Sequence, residues 1–297
     1  MDNIYLLHSA EYQLLQQGFA AWLLALGYAG STVKTLPRHV QEFLHYQEQG
    51  GRPSLAQLQA PDASAFVGQL QTRIGTRTRR GYSPGHINKY IQALKLFNQY
   101  IRQTGRSAIG FTVAFLEDSP AQPDWLTRAE IRRLYEAIND DVLGIRDRAM
   151  LAVYYGCGLR LSEGAALTLS DVMADRKLLY VRKGKGYKQR YVPIASRSYK
   201  AIQLYIEEGR PQLLQGTTDR LFIGAGSGRP LTTQSLYVRI KRLVGVAGLT
   251  KRIGTHTLRH SIATHLLQSG MTLERISEFL GHSCVDSTQI YTHLVNQ

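Results

Sequence analysis

The chain has 297 residues, of which 36 are lysine or arginine and 22 are aspartate or glutamate, giving a formal net charge of +14. Hydrophobic residues make up 43% and charged residues 20%, which excludes a disordered or collagen-like protein and predicts about two globular domains. A globular chain this basic is typical of proteins that bind a polyanion, most often nucleic acid.

The sequence also lacks the features of several other classes. The two cysteines, Cys157 and Cys284, stand in no spacing typical of a disulfide scaffold or a zinc finger. No basic region followed by an apolar run opens the chain, so we expect no signal peptide. No apolar stretch of about 18 residues predicts a membrane-spanning helix. We therefore expect a cytoplasmic, nucleoid-associated protein.

The N-terminal part of the chain is predicted to be helical. The spacing of apolar residues predicts a first helix over 9–26 and a second that Ser31 caps. Pro37 lies too deep in the second helix for a first-turn proline, so we expect a kink or a late start there. A third helix is predicted over 62–73, and a fourth begins with Ser83 as its cap and a proline in its first turn.

A basic loop is predicted between the third and fourth helices. It holds four arginines in eight residues and no acid: Arg73, Arg77, Arg79 and Arg80. A solvated loop is one interpretation, but the overall charge favours a loop that contacts phosphates. We expect Arg77, Arg79 and Arg80 to bind DNA.

Prolines and acidic residues over 117–125 are typical of a linker. We therefore expect a helical domain over 1–117, a linker over 118–125 and a second domain over 126–297. Basic residues exceed acidic ones in both domains, which suits a two-lobed protein that closes around one charged strand.

The second domain is predicted to begin with a helix that Thr127 caps, with Glu130 completing a capping box. A second helix ends at Gly158, and Gly164 is a poor choice for the interior of a helix that follows. A hairpin is predicted over 177–194. The remaining predicted helices cover 232–244, 257–269 and 273–280.

Two stretches of this domain are suited to binding an anion. Arg160 lies at a junction between helices, where the backbone fixes it. Between Arg176 and Arg190 there are seven basic residues and no acid, and glycines on either side of Lys185 would let a hairpin tip approach a groove. The alternative for the hairpin is a charged edge strand protected from aggregation. We also expect DNA contacts from Lys183, Lys188 and Arg190.

Two further stretches carry histidines. His256 and Arg259 lie one turn apart at a helix N-terminus, where both can address one phosphate. His282 follows a helix-ending glycine, and Tyr291 lies on the next predicted helix. His256 and His260 have no carboxylate placed with them, so a zinc site is not favoured, and no phosphate loop for ATP is present.

Together, GLRLSE, GKG in a basic hairpin, HTLRH, LGHS and a downstream YTH resemble the tyrosine recombinase (phage-integrase and Xer-like) family in order and spacing. The resemblance implies a mainly α fold with a small antiparallel β-sheet. It comprises an N-terminal helical core-binding (SAM-like) domain and an α+β catalytic domain. The residues that match the family's catalytic set are Arg160, Lys185, His256, Arg259, His282 and the nucleophile Tyr291, with Glu163 as an acid behind Arg160.

The resemblance implies a site-specific recombinase that cleaves and rejoins double-stranded DNA through a 3′-phosphotyrosine intermediate and a Holliday junction. It implies a homotetramer on paired core sites and neither metal nor nucleotide cofactor. The residue types suit that chemistry, because two arginines can hold the non-bridging oxygens and a tyrosine with a pKa of about 10 needs a base or a cationic field. His256 is the candidate base, His282 a brace for the phosphate, and Lys185 the acid for the departing 5′ oxygen.

Several functions stay open. Because the first domain begins almost at Met1, integration or excision of a mobile element by a simple core-site enzyme is favoured, with Xer-like chromosome dimer resolution as the alternative. A non-catalytic DNA-binding protein of the same fold and a monomeric type IB topoisomerase are the other candidates. The chain ends six residues after Tyr291, whereas relatives commonly continue into a helix that docks on a neighbour. We therefore expect either a shortened chain or a different coupling between protomers.

Overall fold

The computed structural model describes residues 5–75, 79–106, 113–118, 124–182, 189–251 and 253–281. The chain forms two compact units, Met1–Ala121 and Gln122–Gln297. The described residues are mostly helical, and their one extended sheet has three antiparallel strands. The predicted fold class, mainly α with a small antiparallel sheet, is confirmed. Among the described residues, no helix combines the length and the apolar composition that a membrane span requires.

The first unit is a group of helices with an aromatic core. Its helices are α1 (Ala10–Ala25), α2 (Gly30–Gln49), α3 (Asp62–Thr72) and α4 (Pro84–Gln103). The Ser83 side chain accepts the N–H of His86, so the predicted cap of α4 is present. Phe19 and Phe97 meet edge to face with ring centroids 5.5 Å apart, and this packing joins α1 to α4.

The start of α2 differs from the prediction. Ala29 is the N-cap and the helix begins at Gly30, so Ser31 lies in the first turn and does not cap it. The helix also continues through Pro37, which rules out a late start. A proline leaves the carbonyl four residues earlier without its helical donor. Burial of Pro37 beside Leu36 and Val40 in the core offsets that loss.

The second unit surrounds its own core. Its elements are α5 (Arg128–Glu136), α6 (Val142–Leu151), α7 (Leu161–Ala166), β1 (Val172–Met173), β2 (Leu178–Val181), β3 (Arg190–Pro193), α8 (Ser196–Leu204), α9 (Arg210–Leu213), α10 (Thr233–Val246), α11 (Thr255–Gln268) and α12 (Leu273–Leu280). The predicted capping box of α5 is present: Thr127 accepts from the Glu130 N–H at 3.2 Å, and the Thr127 N–H donates to Glu130 at 2.8 Å.

Two π-helical turns were not predicted. The first, Ala152–Gly156, extends α6, and the second, Tyr205–Gly209, joins α8 to α9. Helices are predicted from apolar residues that recur every 3.6 residues, and the additional residue of a π-turn produces no recognisable pattern of this kind. The turn over 152–156 leads to Gly158, whose φ of +62° reverses the chain.

The sheet positions the basic hairpin. Strands β2 and β3 pair antiparallel, with Leu179 opposite Val192 and Val181 opposite Arg190. Val181 and Val192 are buried in the core of the unit, which holds both arms of the hairpin against it. The tip over 183–188 lies outside the described residues.

Candidate active site

Arg160 follows the turn at Gly158 and is held by contacts on both sides. It is the N-cap residue of α7, and its side chain keeps 20% of its surface exposed. Its Nη2 donates to the carbonyl of Gly281 at 3.1 Å. At Gly158 a Cβ atom would lie 2.8 Å from a methyl group of Leu280, so only glycine fits both the positive φ and this close approach. Arg160 is therefore held between α7 and the end of α12.

The carboxylate of Glu163 lies under Arg160 and is saturated with hydrogen bonds. Its Oε1 accepts from Nη1 of Arg160 at 2.8 Å and from Nη1 of Arg190 at 3.0 Å. Its Oε2 accepts from the backbone N–H of Arg160 at 2.8 Å and from Nη2 of Arg190 at 2.9 Å. The Glu163 side chain is 1% exposed. Because both oxygens accept two bonds, the carboxylate can be buried as an anion.

The charge state of Glu163 follows from these contacts. Burial acts to raise its pKa, but the hydrogen bonds and charges of Arg190 and Arg160 outweigh burial. They hold the pKa at about 2, below the ordinary value of 4.5. Glu163 is therefore ionised at neutral pH.

Arg259 approaches Arg160 from α11. Its residue is 6% exposed, and it donates from Nη1 to the Gly158 carbonyl and from Nη2 to the Leu280 carbonyl, both at 2.7 Å. Arg160 binds the next carbonyl along the chain, that of Gly281. Two guanidinium groups are thus anchored on successive carbonyls at the end of α12. A pair of fixed, permanently charged groups of this kind can bind two oxygens of a tetrahedral anion.

His256 lies in the first turn of α11, one turn before Arg259. Its side chain is exposed, whereas Arg259 is buried. The Gly254 N–H donates to the hydroxyl of Thr257 at 3.3 Å, which helps to close the start of the helix. The structure therefore presents an imidazole at the surface, on the helix that carries one of the two arginines.

The remaining predicted catalytic residues, Lys185, His282 and Tyr291, lie outside the described residues. So do Arg77, Lys183 and Lys188 among the predicted DNA contacts. His282 directly follows Gly281, whose carbonyl binds Arg160.

Arg79 and Arg80 are exposed on the first unit. They lie beside an antiparallel bridge between Ile74 and Gly81, and Arg79 adopts a φ of +50°. Arg73, at the start of the same basic loop, forms an ion pair with the buried Glu42. The loop therefore divides into an inward arginine that stabilises the unit and two outward ones that can meet a polyanion.

Arg190 has a contact that the sequence did not predict. The sequence predicts a DNA contact for Arg190, but its side chain is 10% exposed and both Nη atoms bind Glu163. The alternation of side chains along β3 could have indicated an inward position for Arg190. Arg190 and the buried Val192 lie two residues apart and point to the same face of the strand. An inward-pointing arginine implies an acid partner inside the protein.

The described residues also bear on metal binding and on cysteine chemistry. No group of three or more histidine, cysteine or carboxylate side chains there could hold a metal ion. Cys157 is fully buried, and burial raises the pKa of its thiol to about 12, which makes it a poor nucleophile.

We predict that Glu163 makes folding stability fall in acid. Its pKa is lower in the folded protein, so its contribution is complete above pH 4.5 and is lost as the pH falls towards about 2. The difference between these values corresponds to about 3 kcal/mol. Urea unfolding of the wild type and Glu163→Gln between pH 5 and pH 2 measures it, and the variant should lose less stability with acid.

The matched control is Glu130→Gln. Glu130 pairs with Lys251 at 2.8 Å, but its side chain is 19% exposed, against 1% for Glu163. It should contribute less to the acid dependence, because solvent partly screens the Glu130–Lys251 pair. Equal acid profiles for the wild type and Glu163→Gln would contradict the assignment.

Gly281 supports a second prediction. It has a φ of +66°, and a Cβ atom there would lie 2.8 Å from Cδ and Nη1 of Arg190. Gly270 has a φ of +85° with no atom within 4 Å of its Cβ position. Gly281→Ala should therefore lose more unfolding free energy than Gly270→Ala, by about 1–3 kcal/mol, because only the former displaces a packed side chain. Equal losses in urea unfolding would show that Arg190 yields without cost.

Comparison with known proteins identifies the family. Residues 124–297 match the phage integrase family. The chain is 33% identical to the tyrosine recombinase XerD of Corynebacterium glutamicum over 92% of each protein. It is 37% identical to XerD of Pseudomonas putida over 79% of this chain and 78% of that one.

Solved structures share the fold. The XerH site-specific recombinase bound to a palindromic difH substrate superposes with a TM-score of 0.73 at 21% identity, over 97% of this chain and 94% of that one. The Tn1549 transposon integrase in complex with a circular intermediate DNA gives a TM-score of 0.74 at 20% identity, over 93% and 94%. The match over 124–297 and the identities to XerD show that the chain belongs to the tyrosine recombinase family of site-specific recombinases.

Proposed function

We propose that this recombinase cleaves and rejoins double-stranded DNA at specific sites through a 3′-phosphotyrosine intermediate and a Holliday junction. The observation that carries the proposal is the anchoring of Arg160 and Arg259 on the successive carbonyls of Leu280 and Gly281. Two permanent positive charges anchored on neighbouring carbonyls fit the non-bridging oxygens of one phosphodiester.

The reaction divides the work among the predicted residues. The phenol oxygen of Tyr291 attacks phosphorus and gives its proton to His256. The bond from phosphorus to the 5′ oxygen breaks, and Lys185 protonates the departing oxygen. Arg160 and Arg259 stabilise the negative charge of the transition state, and His282 braces it. A 5′ hydroxyl from a partner strand reverses these steps and rejoins the DNA.

The two units have separate tasks in this proposal. Residues 1–117 form a core-binding domain and 126–297 the catalytic domain, joined by a linker over 118–125. The exposure of Arg79 and Arg80 supports DNA contact by the first domain. The structures of XerH with difH and of the Tn1549 integrase with DNA support DNA as the partner. We infer a homotetramer acting on paired core sites.

The biological role has two candidates. Integration or excision of a mobile element is the first, and the fold shared with the Tn1549 transposon integrase is consistent with it. Xer-like resolution of chromosome dimers is the second, and the identities to XerD proteins favour it. Selection of cleaved sites from random DNA, followed by mapping in the source genome, separates a single chromosomal site from sites at the ends of an element.

Tyr291→Phe should bind DNA like the wild type but form no covalent complex, because it lacks the oxygen that attacks phosphorus. A nicked suicide substrate and a denaturing gel measure the adduct. A covalent band from the variant would refute the nucleophile, and no band from the wild type would refute cleavage altogether. Relaxation of supercoiled plasmids that lack paired sites would indicate a topoisomerase instead.

Changing Arg77, Arg79 and Arg80 together to glutamine should flatten the salt dependence of DNA binding. Each phosphate contact contributes about one to the slope of log affinity against log salt. A control with Arg102→Gln and Arg106→Gln removes exposed charges elsewhere on the same unit. An unchanged slope in the triple variant would place the phosphate contacts on other residues.

A further inference from the structure

We propose that Arg190 is a positioning residue that compensates the negative charge of Glu163. Glu163 then does not cancel the positive charge that Arg160 offers to the scissile phosphate. This inference rests on the proposed function and deepens it. The sequence predicts a DNA contact for Arg190, whereas its hydrogen bonds to Glu163 lie inside the protein.

The first observation is the occupancy of the Arg190 guanidinium. Nη1 and Nη2 each bind one oxygen of Glu163, at 3.0 and 2.9 Å. The third nitrogen, Nε, is buried and has no hydrogen-bond partner among the described residues. The Arg190 side chain is only 10% exposed and the carboxylate that it binds is 1% exposed, so a DNA phosphate could bind Arg190 fully only if Arg190 moved away from Glu163. The cost of stranding that charge argues against the exchange.

The second observation is the charge balance of the cluster. Glu163 is one anion shared by two cations, Arg160 and Arg190, so the three side chains together carry one positive charge. Without Arg190, Glu163 would pair with Arg160 alone and the buried pair would have no net charge. An arginine whose charge is cancelled at close range loses most of its attraction for a phosphate. Because Arg190 balances the charge of Glu163, the positive charge of Arg160 remains available to a phosphate.

The third observation is the close fit around Arg190. Its Cδ, Nη1 and Nε come within 2.8–2.9 Å of the position that a Cβ atom would occupy at Gly281. The same glycine offers its carbonyl to Arg160 at 3.1 Å. The missing side chain of Gly281 therefore leaves the space that the Arg190 side chain occupies where it binds Glu163. Such close packing fixes the position of the Arg190 guanidinium.

The test is a double-mutant cycle with Arg190→Gln and Glu163→Gln, measured as covalent-complex formation on a nicked suicide substrate and as DNA affinity in the same buffer. Arg190→Gln should lower the cleavage rate by about 10- to 100-fold, the range expected for a group that orients a reacting one. DNA affinity should change little. The double variant removes the uncompensated anion together with the cation, so it should cleave faster than Arg190→Gln and recover part of the lost rate.

The matched control is Arg182→Gln. Arg182 belongs to the same hairpin and pairs with the buried Asp171 at 2.6 Å, but it has no hydrogen bond to Glu163. Glu163→Gln should not rescue any loss that this variant shows. Arg190→Lys keeps the charge without the forked geometry, so it should retain more activity than Arg190→Gln and provides a test if the glutamine variant fails to fold.

The outcomes separate the possibilities. Loss of DNA affinity in Arg190→Gln without recovery in the double variant would make Arg190 a DNA contact and overturn the proposal. Unchanged cleavage in Arg190→Gln, equal loss in Arg190→Lys, or slow cleavage that Glu163→Gln does not recover would also overturn it. These results differ from a failure of the proposed function, in which the wild type itself forms no covalent complex.

Discussion

One buried carboxylate organises the candidate site of the second unit. Glu163 joins the start of α7 to strand β3 through the guanidinium groups of Arg160 and Arg190. A buried anion is costly unless every lone pair is satisfied, and here four N–H groups satisfy it. The arginine that faces the proposed phosphate thus takes its position from an ion network that lies behind it.

The end of α12 completes this arrangement. The last carbonyls of a helix carry partial negative charge and lack helical partners, so they attract cations. Leu280 and Gly281 offer theirs to Arg259 and Arg160. These carbonyls stabilise two like charges that are anchored on neighbouring residues and would otherwise repel each other. The start of α7, strand β3 and helix α11 each supply one arginine to this cluster, and the end of α12 supplies the carbonyls.

Much of this could be predicted from the sequence. Caps such as Ser83 and Thr127 marked helix starts, because local hydrogen bonds set them. Arg160 and Arg259 were found through short motifs. The partner of Arg190 was missed, since a pairing across 27 residues depends on where the tertiary fold places β3 relative to α7. Gly164 in α7 was unexplained until the structure showed the Tyr154 ring packed against it, where a Cβ atom would collide.

The π-helical turn over Ala152–Gly156 has a consequence for how this site tolerates change. Such a turn holds one residue more than an α-helical turn, and each residue rotates the chain by about 100°. Deleting a single residue there would restore a regular helix and swing Gly158 and Arg160 away from α12. Insertions and deletions in this short segment are therefore constrained more tightly than substitutions, since its length sets the direction in which Arg160 leaves the core.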